Sequence, residues 1–216
     1  MPLTAGTVIE TARDVHPAFE ERRVPARALL RQLSAYHKEL VGKVAHMDES
    51  AITATATFPF PSNTFPSLAL PAYDYLRGAT LRSGTDHSDT RALVIIPWAA
   101  RKDPGPFPSA WIDGANLVLQ GRDLDWGAWD QLEVEYVPNA PDLTALSSTF
   151  LVPDTALGTL AAHLARFMAR RGHMDPALPP IPLSLLEQQA HDAEEAFLRD
   201  IFLRRGAQTI VTREVR

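Results

Sequence analysis

Cysteine is absent from the 216 residues. Disulfide frameworks, thiolate zinc sites, Fe–S clusters and a cysteine nucleophile are therefore excluded. Lysine is nearly absent. Only Lys38, Lys43 and Lys102 occur among 21 basic residues, so arginine supplies almost all of the positive charge. There is no basic surplus either. The formal net charge is −5, the opposite of what a phosphate-backbone binder carries. Gly-rich phosphate loops of the G-x-x-x-x-G-K or G-x-G-x-x-G type, a G-x-S-x-G elbow and an H-E-x-x-H metal motif are all missing. Met1 to Asp14 has neither a basic start nor a continuous apolar run, so no secretory signal is read there. One uncharged stretch, Ser50 to Tyr73, is long enough to span a bilayer, but Pro59, Pro61, Pro66 and Pro71 interrupt it. It reads instead as an extended arm lying on another surface, and no membrane partner is expected.

What is present falls into three parts. Hydrophobic residues at 45% and charged residues at 22% describe a globular chain. Residues 1–49 read as helical, 50–140 as strands and proline-rich loops, and 141–206 as helical again, with 207–216 as a C-terminal tail. The expected class is α+β: a helical bundle with a small antiparallel β sandwich or barrel inserted in it. The acidic surplus belongs to the middle part, which carries 6 basic and 10 acidic groups.

Thr4 is a candidate N-cap for a short helix to about Asp14. A longer helix starts at Pro25. Leu29, Leu33, Tyr36, Leu40, Val44 and Met47 follow at steps of three and four, which draws one apolar stripe. A stripe of that length needs a cover, from the C-terminal helices or from another subunit. Ile52, Ala54, Ala56 and Phe58 alternate with threonines as in a half-buried strand. Arg91 to Trp98 (RALVIIPW) reads as a central strand. Ala110–Asp113 and Asn116–Gln120 read as a hairpin around Gly114-Ala115, and Leu132–Val137 (LEVEYV) as a further strand. Asp154 or Thr155 can cap a helix to about Arg171, which Gly172 stops. Residues 173–183 form a proline-stiffened linker. Ser184 to Glu187 match a capping box that opens a helix ending at Gly206. Thr209 to Val215 (TIVTREV) reads as a short strand.

The polar constellations are thin. His46, Asp48 and Glu49, then Asp86 to Asp89 (DHSD), then His173 and Asp175, all lack strong metal spacing, so no metal or cofactor is assigned. The pairs Arg22-Arg23, Arg170-Arg171 and Arg204-Arg205 suit ion pairing. Asp123 and Asp125 beside Trp126 and Trp129 form the one pattern that would suit a glycan hydrolase, with stacking rings and paired acids. A turn whose aromatics pack on the sheet accounts for the same residues, and no catalytic residue is assigned.

The order helix pair, proline-rich β insert, two helices, taken with WIDGANLVLQGRDLDWGAWDQLEVEYVPNAPDLTALSSTFLVPDTALGTLAAHLARFMARRG (Trp111 to Gly172), resembles head–tail connector (adaptor or neck) proteins of tailed bacteriophages. The resemblance is one of layout over residues 5–205 and includes no diagnostic motif. It implies a non-enzymatic virion structural protein, assembled in the host cytoplasm. Its copies would form a homo-oligomeric ring and join portal to tail or neck proteins. DNA would pass nearby without specific binding. A tail-completion or baseplate component would have much the same layout. The rivals are the glycan hydrolase and a monomeric surface- or peptide-binding module built on the β insert. For assembly, three surfaces are expected: the stripe Leu33, Tyr36, Leu40 and Val44; the arm around Phe58, Phe60 and Phe65; and the C-terminal face Phe197 and Ile201.

Overall fold

The computed structural model describes residues 2–20, 24–59, 67–83, 89–103, 107–120, 128–172 and 180–214, the last ten of these as backbone. Two compact units are found. One joins Met1–Ile52 to Ala140–Arg216, and the other is Thr53–Asn139. The fold is mixed α+β.

The helical unit contains α1 (Ala5–Arg13), α2 (Ala26–Asp48), α3 (Leu157–Gly172) and α4 (Leu183–Glu214). Thr4 caps α1, its hydroxyl accepting from the Thr7 N–H. The first N–H groups of α1 also find partners outside the helix, since Ala5 and Gly6 donate to the Ser148 and Leu146 carbonyls. Pro25 lies one residue outside α2, at its N-cap. The apolar stripe of α2 is buried from Leu29 through Leu33, Tyr36 and Leu40 to Val44. Leu160, Leu164 and Met168 of α3 are buried in the same unit, as are Leu186, Ala190, Phe197 and Ile201 of α4.

Four helix boundaries differ from the sequence reading. Asp154 caps nothing, because its carboxylate is occupied by the Leu3 N–H at 3.0 Å, and a 3-10 turn leads into α3 instead. The capping box at Ser184 does not form. The helix has already begun at Leu183, and Glu187 is taken by Arg170 at 2.8 Å. Gly172 is the last residue of α3 rather than its stop. Gly206 does not end α4, whose backbone stays helical through Glu214, so the expected strand at Thr209–Val215 and the separate tail are both corrected. One interior glycine costs about 1 kcal/mol and each β-branched residue only a few tenths. A lone strand with no sheet to join has nothing to set against that. The linker 173–183 falls mostly outside the described residues.

Gly42 sits on the exposed side of α2, and a Cβ built there meets nothing within 4 Å. Inside the isolated chain this glycine has only its entropic cost. Gly42→Ala is therefore expected to stabilise the monomer by about 0.5–1 kcal/mol, read as an upward shift in a thermal melt.

The β unit holds two four-stranded sheets. The first has the order β1 (Ala54–Pro59), β8 (Gln131–Pro138), β3 (Tyr73–Ser83), β4 (Asp89–Ala92). The second runs β2 (Ser67–Ala69), β7 (Asn116–Gln120), β6 (Ser109–Asp113), β5 (Val94–Ile95). Ala79, Leu81, Leu132 and Val134 of the first sheet and Ala110, Leu117 and Leu119 of the second belong to one buried cluster. The β6–β7 hairpin turns on Gly114 at φ 63°, which glycine adopts freely.

Three readings are corrected here. Arg91–Trp98 is not a central strand. It splits at buried Leu93 into β4 and β5, the edges of two different sheets, and every residue of β4 is exposed. The insert is not wholly antiparallel, because β5 pairs parallel with β6 after a crossover through the 3-10 helix Trp98–Lys102. The neutral stretch Ser50–Tyr73 is not a free arm over its described part, since β1 pairs with β8 and β2 with β7.

Candidate functional site

The residues expected to face a partner are largely inside. Leu33, Leu40 and Val44 are fully buried in the helical unit, and Tyr36, Phe197 and Ile201 nearly so. This corrects their assignment to an exposed interface. Three helices each bring an apolar face, and together the faces cover one another without a second subunit. Phe58 is half-buried against the β cluster, whereas Phe60 and Phe65 lie outside the described residues. Of the glycan pattern, Asp123, Asp125 and Trp126 also lie outside them. Trp129 packs on the β cluster, as a turn aromatic would.

The metal candidates are not brought together either. Asp48 is buried and caps the turn after α2, accepting from the Ser50 N–H at 3.1 Å and its hydroxyl at 2.6 Å, while His46 is exposed. Residues 86–88, 173 and 175 lie outside the described residues. Among the described residues, no three His, Asp or Glu groups are placed to hold a metal ion. Of the arginine pairs, Arg170 binds Glu187 and Arg204 binds Asp200 at 2.7 Å; Arg22-Arg23 are outside the description.

What the helices do bring together was not singled out from the sequence. A polar cluster lies between α2, α3 and α4. The Tyr36 hydroxyl donates to Glu194 at 2.6 Å, and Lys43 donates to the other oxygen of the same carboxylate at 2.6 Å. Lys43 also reaches Glu39 at 2.7 Å. The Tyr36 ring stacks on His163 with centroids 3.5 Å apart and planes 5° from parallel. His163 Nδ1 lies 2.9 Å from Arg166 and its Nε2 lies 3.1 Å from the Gln32 amide. Arginine can only donate, so Nδ1 accepts and the neutral ring carries its proton on Nε2. The Gln32 carbonyl oxygen is then the atom that receives it, with the amide turned over.

Charges in this cluster are held firmly. Burial, and then the Arg166 guanidinium, push His163 down to about 4, so the ring is neutral at pH 7. Burial works to raise the Glu194 carboxyl, but hydrogen bonds from Lys43 and Tyr36 outweigh it and leave it below the usual carboxylate range. For Lys43, burial is outweighed in the same way by its two carboxylates, and its ammonium is held above the usual range. Burial and the Glu194 contact raise Tyr36.

A second buried histidine ties α2 to the segment after the β unit. His37 Nε2 accepts from the Leu151 N–H at 3.0 Å, and the Phe150 ring meets it edge-on at 5.0 Å. Burial pushes this ring down to about 4, against a smaller upward pull from the Pro141 backbone. One turn earlier, the Ser34 hydroxyl accepts from the Leu143 N–H at 2.8 Å. Ser34→Ala would leave that buried N–H unpaired, and a loss of about 1–3 kcal/mol in urea unfolding is expected. The signal for both histidines was in the spacing. His37 sits four residues after Leu33, and His163 lies between Leu160 and Leu164. A polar residue on an apolar face must find partners or stay neutral.

Paired with one another, the members of this cluster tie α2, α3 and α4 together. Surface grooves among the described residues lie along α2. One of about 470 Å³ is lined by Arg31, Ser34, Ala35, Lys38, Asp142, Leu143 and Thr144; another, of about 310 Å³, by Pro25, Arg27, Ala28 and Arg31. Neither is lined by a member of the cluster. Among the described residues, the large apolar side chains left exposed are elsewhere: Leu185, Phe202 and Leu203 on α4, Tyr75, Val94, Trp98 and Phe107 in the β unit, and Val15 and Leu146 beside the helices. Trp98 is overlaid by the Arg101 guanidinium at 3.2 Å. No described helix is long and apolar enough to cross a membrane. Neither a family model nor a curated protein sequence matches the chain.

Proposed function

We propose that this chain is a non-enzymatic virion structural protein of the head–tail connector type, whose copies assemble into a ring between portal and tail or neck proteins. The observation that carries this reading is the far half of α4. The helix has 32 residues, about 48 Å of rise, whereas its neighbour α3 has 16. Ile201 is the last buried residue among the described side chains of α4, and Phe202 and Leu203 beside it are more than half exposed. Large apolar groups side by side in water mark a surface made to be covered. The layout supports the reading as well. We take the two sheets to be a small sandwich, set between the helices in sequence as the resemblance implies. β1 and β4, the edges of the first sheet among the described residues, give further places for a neighbour to add. A negative net charge suits a wall past which DNA must slide without sticking. A tail-completion or baseplate position would use the same surfaces.

The test is physical location. The chain should be present in purified particles, should form a ladder of multimers on cross-linking, and should be visible at the neck by particle imaging. Its absence from purified particles would overturn the proposal.

A further inference from the structure

The helical unit carries two outward helix faces whose charges are complementary. On α4 the buried residues Leu186, Ala190, Phe197 and Ile201 define the inner side, and helical spacing puts Leu185, Asp192, Glu195, Arg199, Phe202 and Leu203 on the opposite one, all exposed. On α2 the stripe Leu29 to Val44 defines the inner side, and Arg27, Arg31, Ala35, Lys38 and Gly42 face out. Arg27, Arg31, Asp192 and Arg199 have no ion pair or hydrogen bond among the described residues. Glu195 has only His191, at 3.4 Å and charged only when protonated.

We infer that the outward face of α4 in one copy packs against the outward face of α2 in the next, as a heterologous contact between copies of this chain. The inference rests on the assembly reading above and names its surface.

Charge pairing is the first support. With the two helices running in the same direction, Asp192 comes opposite Arg27 and Glu195 opposite Arg31, while Arg199 falls at Ala35. In the reverse order Asp192 can meet Arg31 and Glu195 can meet Arg27, but Phe202 and Leu203 then fall beyond the start of α2, so the apolar anchor and not the charges selects the parallel arrangement. The groove is the second. In the parallel register Phe202 and Leu203 fall beside Lys38, at the 470 Å³ groove whose walls include Ala35 and Leu143. An apolar anchor seated in a groove and flanked by charge pairs is the usual anatomy of a strong contact. Gly42 is the third. It has no close neighbour within its own chain, and a backbone free of Cβ on an outward face lets another helix approach. Because α2 receives and α4 inserts, each copy offers both halves at once, and repetition generates a ring when the rotation closes.

The experiment uses the full chain and follows mass against concentration by light scattering and sedimentation velocity. Wild type should self-associate, and less so as salt rises. Arg27→Glu with Arg31→Glu, and separately Asp192→Arg with Glu195→Arg, should each weaken association by at least about tenfold. Mixing the two charge-reversed chains should restore it, since each then presents the face the other needs. Phe202→Ala should weaken association with the charges intact. Circular dichroism checks that each variant is folded, and the salt series on wild type serves if one is not. A wild type that stays monomeric, reversals that leave association unchanged, or a mixture that fails to recover would each overturn the inference. Where the chain is present in particles and the reversals are silent, this surface is wrong and the assembly reading stands. Where the chain is absent from particles, the assembly reading itself fails.

Discussion

Lowering the pH from 7 to about 4 is expected to remove most of the stability of the helical unit. His37 and His163 are both buried and neutral, and both are pushed from the ordinary value of 6.5 down to about 4. The unfolded chain takes up protons near 6.5, and the folded chain resists until about 4. Stability is therefore full above 6.5, declines as pH falls through that window, and levels off once both states are protonated. The gap corresponds to about 3 kcal/mol for each ring, so the two together approach the 5–15 kcal/mol that a whole domain has to spare. Geometry explains why neither ring accepts a proton in place. A proton on His163 Nδ1 would face Arg166, and one on His37 Nε2 would face the Leu151 N–H. Glu194 acts in the same sense at lower pH, where its ion pair with Lys43 is lost. Tyr36 and Lys43 are both held above their ordinary values and set the opposite limit, with stability lost as pH rises beyond about 10. Urea unfolding at a series of pH values, followed by helical ellipticity, reads the slope, and ring-proton NMR reads the two rings. His37→Gln or His163→Gln should remove about half of the slope between pH 6.5 and 4. A flat profile there, or rings that titrate near 6.5, would contradict the assignment.

The helical half of the molecule was the more legible one, because a 3.6-residue period survives burial on one side. Leu29, Leu33, Tyr36, Leu40 and Val44 marked the inner face of α2 correctly. A stripe does not say what covers it, however, and the same residues read equally well as a surface awaiting another subunit. Only the meeting of α3 and α4 with α2 decides for the intrachain core. Helix ends were less legible, since Asp154 and Glu187 had better partners at long range, Leu3 and Arg170, than the local caps they resembled. In the β unit the longest strand, β3, was missed. In its sequence YDYLRGATLRS only Ala79 and Leu81 are buried, Asp74, Tyr75 and Arg77 are exposed, and the register against β8 shifts between Tyr73 and Tyr75 and again between Leu76 and Gly78. Two irregularities in eleven residues erase an alternating pattern. Arg82 belongs there for a reason visible only in three dimensions, a 2.7 Å pair with Glu133 on the neighbouring strand. The run from Arg91 to Trp98 misled for a related cause. An unbroken apolar run carries no period, so it cannot report that its two halves serve different sheets. The buried polar cluster was invisible for the most general reason: Tyr36, His163 and Glu194 are spread over 158 positions and meet only when the helices pack.

Replacing Leu40 by alanine and Phe202 by alanine should have opposite consequences, and the contrast separates what holds a single chain together from what joins chains. Leu40 is fully buried on α2. Its truncation removes apolar burial and leaves a cavity among three helices that also hold the Tyr36–His163 stack, so a loss of about 2–5 kcal/mol in folding stability is expected. Phe202 is 61% exposed on the outward face of α4. Its truncation should change folding of the isolated chain by no more than about 0.5 kcal/mol. In the assembled state the ranking reverses: Phe202→Ala should weaken association directly, whereas Leu40→Ala should do so only to the extent that the chain unfolds. Urea midpoints measured at a concentration below assembly, set beside sedimentation above it, give both quantities for each variant. Were Leu40→Ala to leave the monomer's midpoint unmoved and abolish association, the stripe on α2 would be an intersubunit seam after all, and the three-helix core described here would be wrong. Should Phe202→Ala lower the monomer's unfolding free energy by about 2 kcal/mol or more, the end of α4 would be covered by its own chain, and the surface offered to a neighbour would have to lie elsewhere.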